Sequence, residues 1–272
     1  MQTAPDTQLI EFEGRTLRIR EAATQPSRLL LLIHGLTGDE NSMWVFARDL
    51  PAHYWMVAPR APHTAEPSGY SWRPPPFETM DGPTLEQLKQ SAEALVRLVD
   101  AYSASVGIEA STFDVMGFSQ GAAMCNVLAF LYPQRIRKTG ILAGFIPHGL
   151  EELVSQRPLD GKQFFVAHGT KDERVTVERA RTSIALLEQA GAKVTYCEDD
   201  VAHKVSLNCL RALKEFFAAL YTTWILDSEI PYCRIISALE KEDTVAIEAA
   251  FCRNFGIYRF IYIKWLRGIK EG

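Results

Sequence analysis

The stretch Gly117-Phe118-Ser119-Gln120-Gly121 leaves this chain less conformational freedom than any other. It follows a strand-like run, TFDVM, and opens a helix-like run, QGAAMCNVLAFLY. A strand can turn directly into a helix in so few residues only if the positions two before and two after the serine carry almost no side chain. The serine is then held at the helix N-terminus, where free N–H groups and the helix dipole favour negative charge. The motif therefore asks for a strand and a helix packed side by side, with an exposed hydroxyl at their junction.

The rest of the chain repeats that beat. Gln8–Glu13 and Thr16–Arg20 read as an opening hairpin around Glu13-Gly14-Arg15. Arg28–Ile33 (RLLLLI) is continuously apolar after its first residue, as a central strand covered on both faces should be. Asn41–Leu50 reads as a helix and Tyr54–Ala58 as a strand; Thr84–Ser105 has apolar residues at helical spacing. Strands are then expected at Thr112–Met116, Thr139–Ala143, Gln163–Ala167 and Lys193–Cys197. The helices between and after them are Gln120–Leu131, a short one near Leu150–Ser155, Val175–Ala190 and Lys204–Tyr221. Such alternation implies a mainly parallel sheet with helices on both faces. Residues 1–221 are expected to form this domain, and residues 222–272 break the rhythm as an extension.

With the sheet in place, the elbow's partners follow from chain order. In the α/β-hydrolase fold the loop after an early strand supplies one oxyanion donor, and the residue after the nucleophile supplies the other. Here these are the backbone N–H groups of Leu36, in the His34-Gly35-Leu36 turn after RLLLLI, and of Gln120. His34 reads as a structural residue of that loop. The acid follows the QFFVA strand in His168-Gly169-Thr170-Lys171-Asp172-Glu173; Asp172 is preferred to Glu173, with helix capping as its alternative use. His203, just before the last long helix, is the base, and the order Ser119, Asp172, His203 is the order this fold uses. Such a triad forms and hydrolyses an acyl-enzyme, and loses activity at acid pH as its histidine protonates.

Between Arg60 and Pro83 lies a long loop rich in Pro, Gly and aromatics. Loops of that length in compact domains usually serve function. Tyr70, Trp72 and Phe77 are its candidates for a substrate-pocket wall, with Trp72 equally placed to be core. A net charge of −4 speaks against a nucleic-acid partner. No apolar run is long enough to span a membrane, and the first residues lack a secretory pattern. Five scattered cysteines without CxxC spacing argue against a disulfide framework or zinc ribbon and for a reducing, cytoplasmic setting. No cofactor or metal is expected. For residues 222–272 three roles compete: packing in support of a homodimer, contact with a membrane surface or partner, or a tail.

LLLIHGLTGDENSMW, MVAPRAP, GYSW, GFSQG, AHGTKDERV and AHKVS together resemble the phospholipase/carboxylesterase family, small cap-less α/β-hydrolases that include acyl-protein thioesterases. The resemblance covers roughly residues 8–221. It implies a compact fold with no large cap domain and a serine carboxylesterase acting on small-molecule esters of short to medium acyl chain. Acyl-protein thioesterase or lysophospholipase activity are the alternatives within the family, and a non-catalytic binding module on the same fold is the alternative outside it. The chain departs from the family's common pattern at Ala122-Ala123, at Thr37 and at Val201-Ala202.

Overall fold

The computed structural model describes residues 6–75 and 82–219. An eight-stranded sheet organises them. Its edge is the antiparallel pair β1 (Gln8–Phe12) and β2 (Arg15–Arg20). Next come β4 (Tyr54–Pro59), antiparallel to β2, and β3 (Arg28–Ile33), parallel to β4. Parallel pairing continues through β7 (Phe113–Phe118), β8 (Ile136–Leu142), β9 (Gln163–Gly169) and β10 (Lys193–Asp199). This is the α/β-hydrolase arrangement expected from the alternation of runs.

β3 shows why its run is apolar throughout. Leu29, Leu31 and Ile33 point into one core with α2 (Leu85–Val106) and α3 (Gln120–Leu131), whereas Leu30 and Leu32 enter a second core with α1 (Trp44–Ala47) and α5 (Leu207–Ala218). A strand buried on both faces has no position left for a polar side chain. The fourth helix, α4 (Val177–Gln189), lies between β9 and β10 in the chain. α2 starts on a reciprocal capping box between Thr84 and Gln87 and stops at left-handed Gly107.

Several boundaries moved, each for a tertiary reason. β8 begins at Ile136 rather than Thr139, taking in two cations that look out of place in a strand. Lys138 is fully buried there because its ammonium donates to the carbonyls of Phe216 and Ala219 at the end of α5, each at 2.6 Å. The 60–83 loop contains a small hairpin, β5 (His63–Thr64) and β6 (Tyr70–Ser71), and α1 is one turn instead of ten residues.

The cysteine reading needs correction. Cys197 on β10 and Cys209 in the first turn of α5 are joined by a disulfide, with Cα atoms 5.6 Å apart. Their spacing matches no motif because the pairing is made by a strand and a helix meeting in space. Cys125 is buried as a free thiol. Among the described residues no helix is long and apolar enough to cross a membrane. The expected boundary at residue 221 and the extension 222–272 lie outside the described residues.

Candidate active site

Ser119 sits between β7 and α3 with φ 54° and ψ −115°, a conformation that costs a non-glycine residue on the order of 1–3 kcal/mol. The surroundings impose it. Ser119 N–H donates to Leu142 O of β8 at 2.9 Å, and Ala123 N–H donates to Ser119 O at 3.1 Å. A Cβ at position 117 would collide with the Gly121 carbonyl, and one at position 121 with the Ile33 carbonyl. Both glycines of the motif are thus steric necessities of the packing of β3, β7 and α3.

Asp172 and His203 come from neighbouring loops at the same ends of the parallel strands. Gly169 closes β9 so near the 201–202 backbone that any Cβ would strike the Val201 and Ala202 carbonyls. Thr170 N–H donates to Asp199 O at 2.9 Å and Lys171 N–H to Val201 O at 3.0 Å, drawing the two loops together. Asp172 divides its carboxylate between two tasks. Oδ1 accepts the Arg174 and Val175 N–H groups at 2.9 and 3.0 Å; Oδ2 lies 2.7 Å from Nδ1 of His203. α4 is capped by Thr176, and Glu173 is exposed.

The His203 imidazole is half-buried and its ring centroid lies 5.0 Å from that of Phe118, the residue preceding Ser119. Phe118 in turn stacks on Phe46 at 5.4 Å. His168 lies on the far side of the acid: its Nε2 donates to Val175 O at 2.8 Å and is 3.5 Å from Asp172 Oδ2. It is fully enclosed, which suits a structural role.

The oxyanion loop is held from below by His34. Nδ1 donates to Gly35 O at 2.7 Å, which leaves Nε2 to accept the Ala61 N–H at 3.1 Å. Burial pushes the pKa of this imidazole down, in keeping with a neutral ring. A Cβ on Gly35 would stand 3.3 Å from Ser119 Cβ, so the loop carrying Leu36 packs directly on Ser119. Gln120 opens α3, where its N–H has no helical acceptor.

The three pocket candidates fare differently. Tyr70 is half-buried under the Arg60 guanidinium, 4.7 Å from its ring centre, and its N–H and C=O pair with Gly38 and Thr37. Trp72 is core: 1% exposed, its indole donates to His34 O at 2.8 Å. Phe77 lies outside the described residues. Sequence reasoning missed the Gln120 side chain, whose carboxamide accepts the Trp72 N–H at 2.9 Å and donates to Ser71 Oγ at 3.1 Å. It also missed Phe118 and Phe46. Phe118 was visible inside the motif, whereas nothing local marks Phe46.

Residues 15–221 match the family model described as Phospholipase/Carboxylesterase. Carboxylesterase SOBER1 of Arabidopsis thaliana is 26% identical over 105 residues, 38% of this chain and 46% of that protein. A probable carboxylesterase SOBER1-like protein of the same plant is 27% identical over 113 residues, 40% of this chain and 43% of that one. The chain thus aligns with a little under half the length of these curated relatives. Among solved structures, a carboxylesterase from Mesorhizobium loti superposes with a TM-score of 0.67 at 19% identity, covering 79% of this chain and all (100%) of that one. The Bacillus cereus carboxylesterase superposes with a TM-score of 0.65 at 19% identity, covering 76% and 94%. These likenesses show a shared fold, and the family match over most of the chain shows more: this protein belongs to the phospholipase/carboxylesterase family of hydrolases.

Proposed function

We propose that the chain is a serine carboxylesterase in which Ser119, His203 and Asp172 act together. The observation that carries this reading is the 2.7 Å contact from His203 Nδ1 to Asp172 Oδ2, with the imidazole resting beside the elbow that strains Ser119. His203 takes the Ser119 proton as Oγ attacks the ester carbonyl, and Asp172 accepts the Nδ1–H of the imidazolium that forms. The oxyanion receives the N–H groups of Leu36 and Gln120; losing one such donor costs about 10²–10³ in rate. The proton on His203 then goes to the leaving alcohol, and water hydrolyses the acyl-enzyme by the reverse sequence.

The family resemblance implies an acyl group of short to medium length, and Phe118, which precedes Ser119 and stacks on Phe46, offers it an apolar neighbour. The same surface supports thioesterase or lysophospholipase chemistry as the second reading. A series of p-nitrophenyl esters run beside a palmitoyl thioester and a lysophospholipid ranks the three. Fluorophosphonate labelling at Ser119 tests the chemistry itself: Ser119→Ala is expected to abolish labelling and to lower turnover by on the order of 10⁶-fold with an unchanged melting curve. Turnover near wild type in that variant overturns the assignment, and a wild type that neither labels nor turns over leaves the binding-module reading. A cytoplasmic address belongs to the proposal as well. One disulfide in that compartment is expected to be labile and redox-sensing rather than permanent.

A further inference from the structure

The Cys197–Cys209 disulfide brackets the segment that carries His203. None of residues 198–208 is fully buried, and Val205 is the segment's one side chain packed against the second core, so much of its shape is set at its two ends. The two ends are held by different parts of the fold, β10 by its ladder to β9 and α5 by the second core. Among the described residues β10 is the edge of the sheet and pairs only with β9. α5 rests on a narrow stripe, Cys209, Leu213 and Phe217, and Leu207 at its first turn is 73% exposed. The acid loop grips the nearer half through Thr170 and Lys171, which bond to Asp199 and Val201. Beyond His203 the hold is slighter: Ser206 caps α5 by accepting Cys209 N–H at 3.1 Å, and Asn208 reaches Asp199 at 3.2 Å on the surface. The covalent bond is what closes this half.

We propose that the Cys197–Cys209 disulfide is a reducible positioning staple for His203, so that its redox state sets the rate of the reaction. This rests on His203 being the base, as proposed above. The partner is a dithiol reductant. Its thiolate attacks Sγ of Cys197, the half-buried sulfur, and the Sγ–Sγ bond breaks with departure of the Cys209 thiolate, which takes up a proton. The second thiol of the reductant resolves the mixed disulfide, leaving two cysteine thiols and an oxidised, cyclic reductant. The imidazole then keeps its Asp172 bond but loses its fixed place beside Phe118 and the Ser119 elbow. A misplacement of about 1 Å in such a site can cost about 10²-fold in rate.

The test compares air-oxidised full-length protein with protein treated with dithiothreitol, mass mapping of alkylated thiols confirming that Cys197 and Cys209 have opened. Reduction is expected to lower kcat on a p-nitrophenyl ester by roughly tenfold with KM within about twofold. It is also expected to speed amide hydrogen exchange at residues 202–209 by about tenfold, and reoxidation is expected to reverse both. The Cys197→Ser/Cys209→Ser double variant should match the reduced enzyme and ignore the reductant; if it does not fold, the wild-type pair decides alone. Equal kcat and equal exchange in the two redox states overturn the proposal. Should neither state turn over substrate or accept a fluorophosphonate, the esterase reading fails, and the exchange measurement alone decides whether the staple exists.

Discussion

Two buried aspartates, at opposite ends of the parallel strands, show how the same group serves two ends. Asp114 enters near the start of β7 and is saturated. It accepts Tyr54 Oη–H at 2.7 Å, two Arg137 N–H groups at 3.0 and 2.8 Å, and the Lys138 backbone N–H at 3.0 Å. Its partners are a guanidinium that never gives up its proton and a phenol whose pKa burial raises. Asp172 lies beyond the end of β9 and is bonded just as fully on Oδ1, by two backbone N–H groups, but Oδ2 faces an imidazole. A carboxylate given a permanent cation becomes a bolt; one given an imidazole beside a strained serine is, on the proposed reading, placed to orient a base. Burial and bond count do not separate the two cases. The partner's acid–base chemistry does.

That contrast can be broken by exchanging charge for amide at each end. Asp172→Asn should lower kcat by about 10⁴-fold, because the amide favours the wrong histidine tautomer, while the melting temperature stays within a few degrees. Stopped assays with a p-nitrophenyl ester and calorimetry on the same sample check both halves. Asp114→Asn should do the reverse: about 3 kcal/mol lost in urea unfolding, since Arg137 is left without its carboxylate, with kcat at 25 °C within about twofold. If the two variants shifted activity and stability alike, the division between bolt and orienting group would collapse.

A smaller effect sharpens the comparison at the oxyanion loop. His34 is neutral in the fold and its Nε2 accepts the Ala61 N–H, so protonation breaks that bond. Its folded pKa lies below 6.5, which means the unfolded chain binds the proton more readily. Stability is therefore full above pH 6.5 and falls as pH drops below it, by at most about 2 kcal/mol at pH 5. Urea unfolding at pH 7.5 and pH 5 should show a smaller loss in His34→Gln than in the wild type. An equal loss in both would remove His34 from the account.

Much of the architecture was legible because it is written in local terms. Period and run length identify RLLLLI as a strand covered on both sides, and the Gly117–Gly121 motif specifies its own turn through steric exclusion over five residues. The chain order of the proposed triad could be read for the same reason, since each member sits in the first few residues after a strand. Arg137 and Lys138 hid the true start of β8, because a cation in a strand is acceptable only where distant groups, Asp114 and the end of α5, receive it. Trp72 looked equally suited to a pocket or to the core until the His34 carbonyl came to meet its indole.

The amino-acid sequence by itself determined the family, the sheet-and-helix order and the elbow that strains Ser119, since short-range sterics and hydrophobic periodicity need no knowledge of distant residues. Tertiary structure alone decided that Asp114 and Asp172 have different partners, that Gln120 ties the elbow to Trp72, and that Cys197 meets Cys209. Those facts are distances between segments far apart along the chain or on different elements, and such distances exist only once strand register and helix docking have brought the segments together.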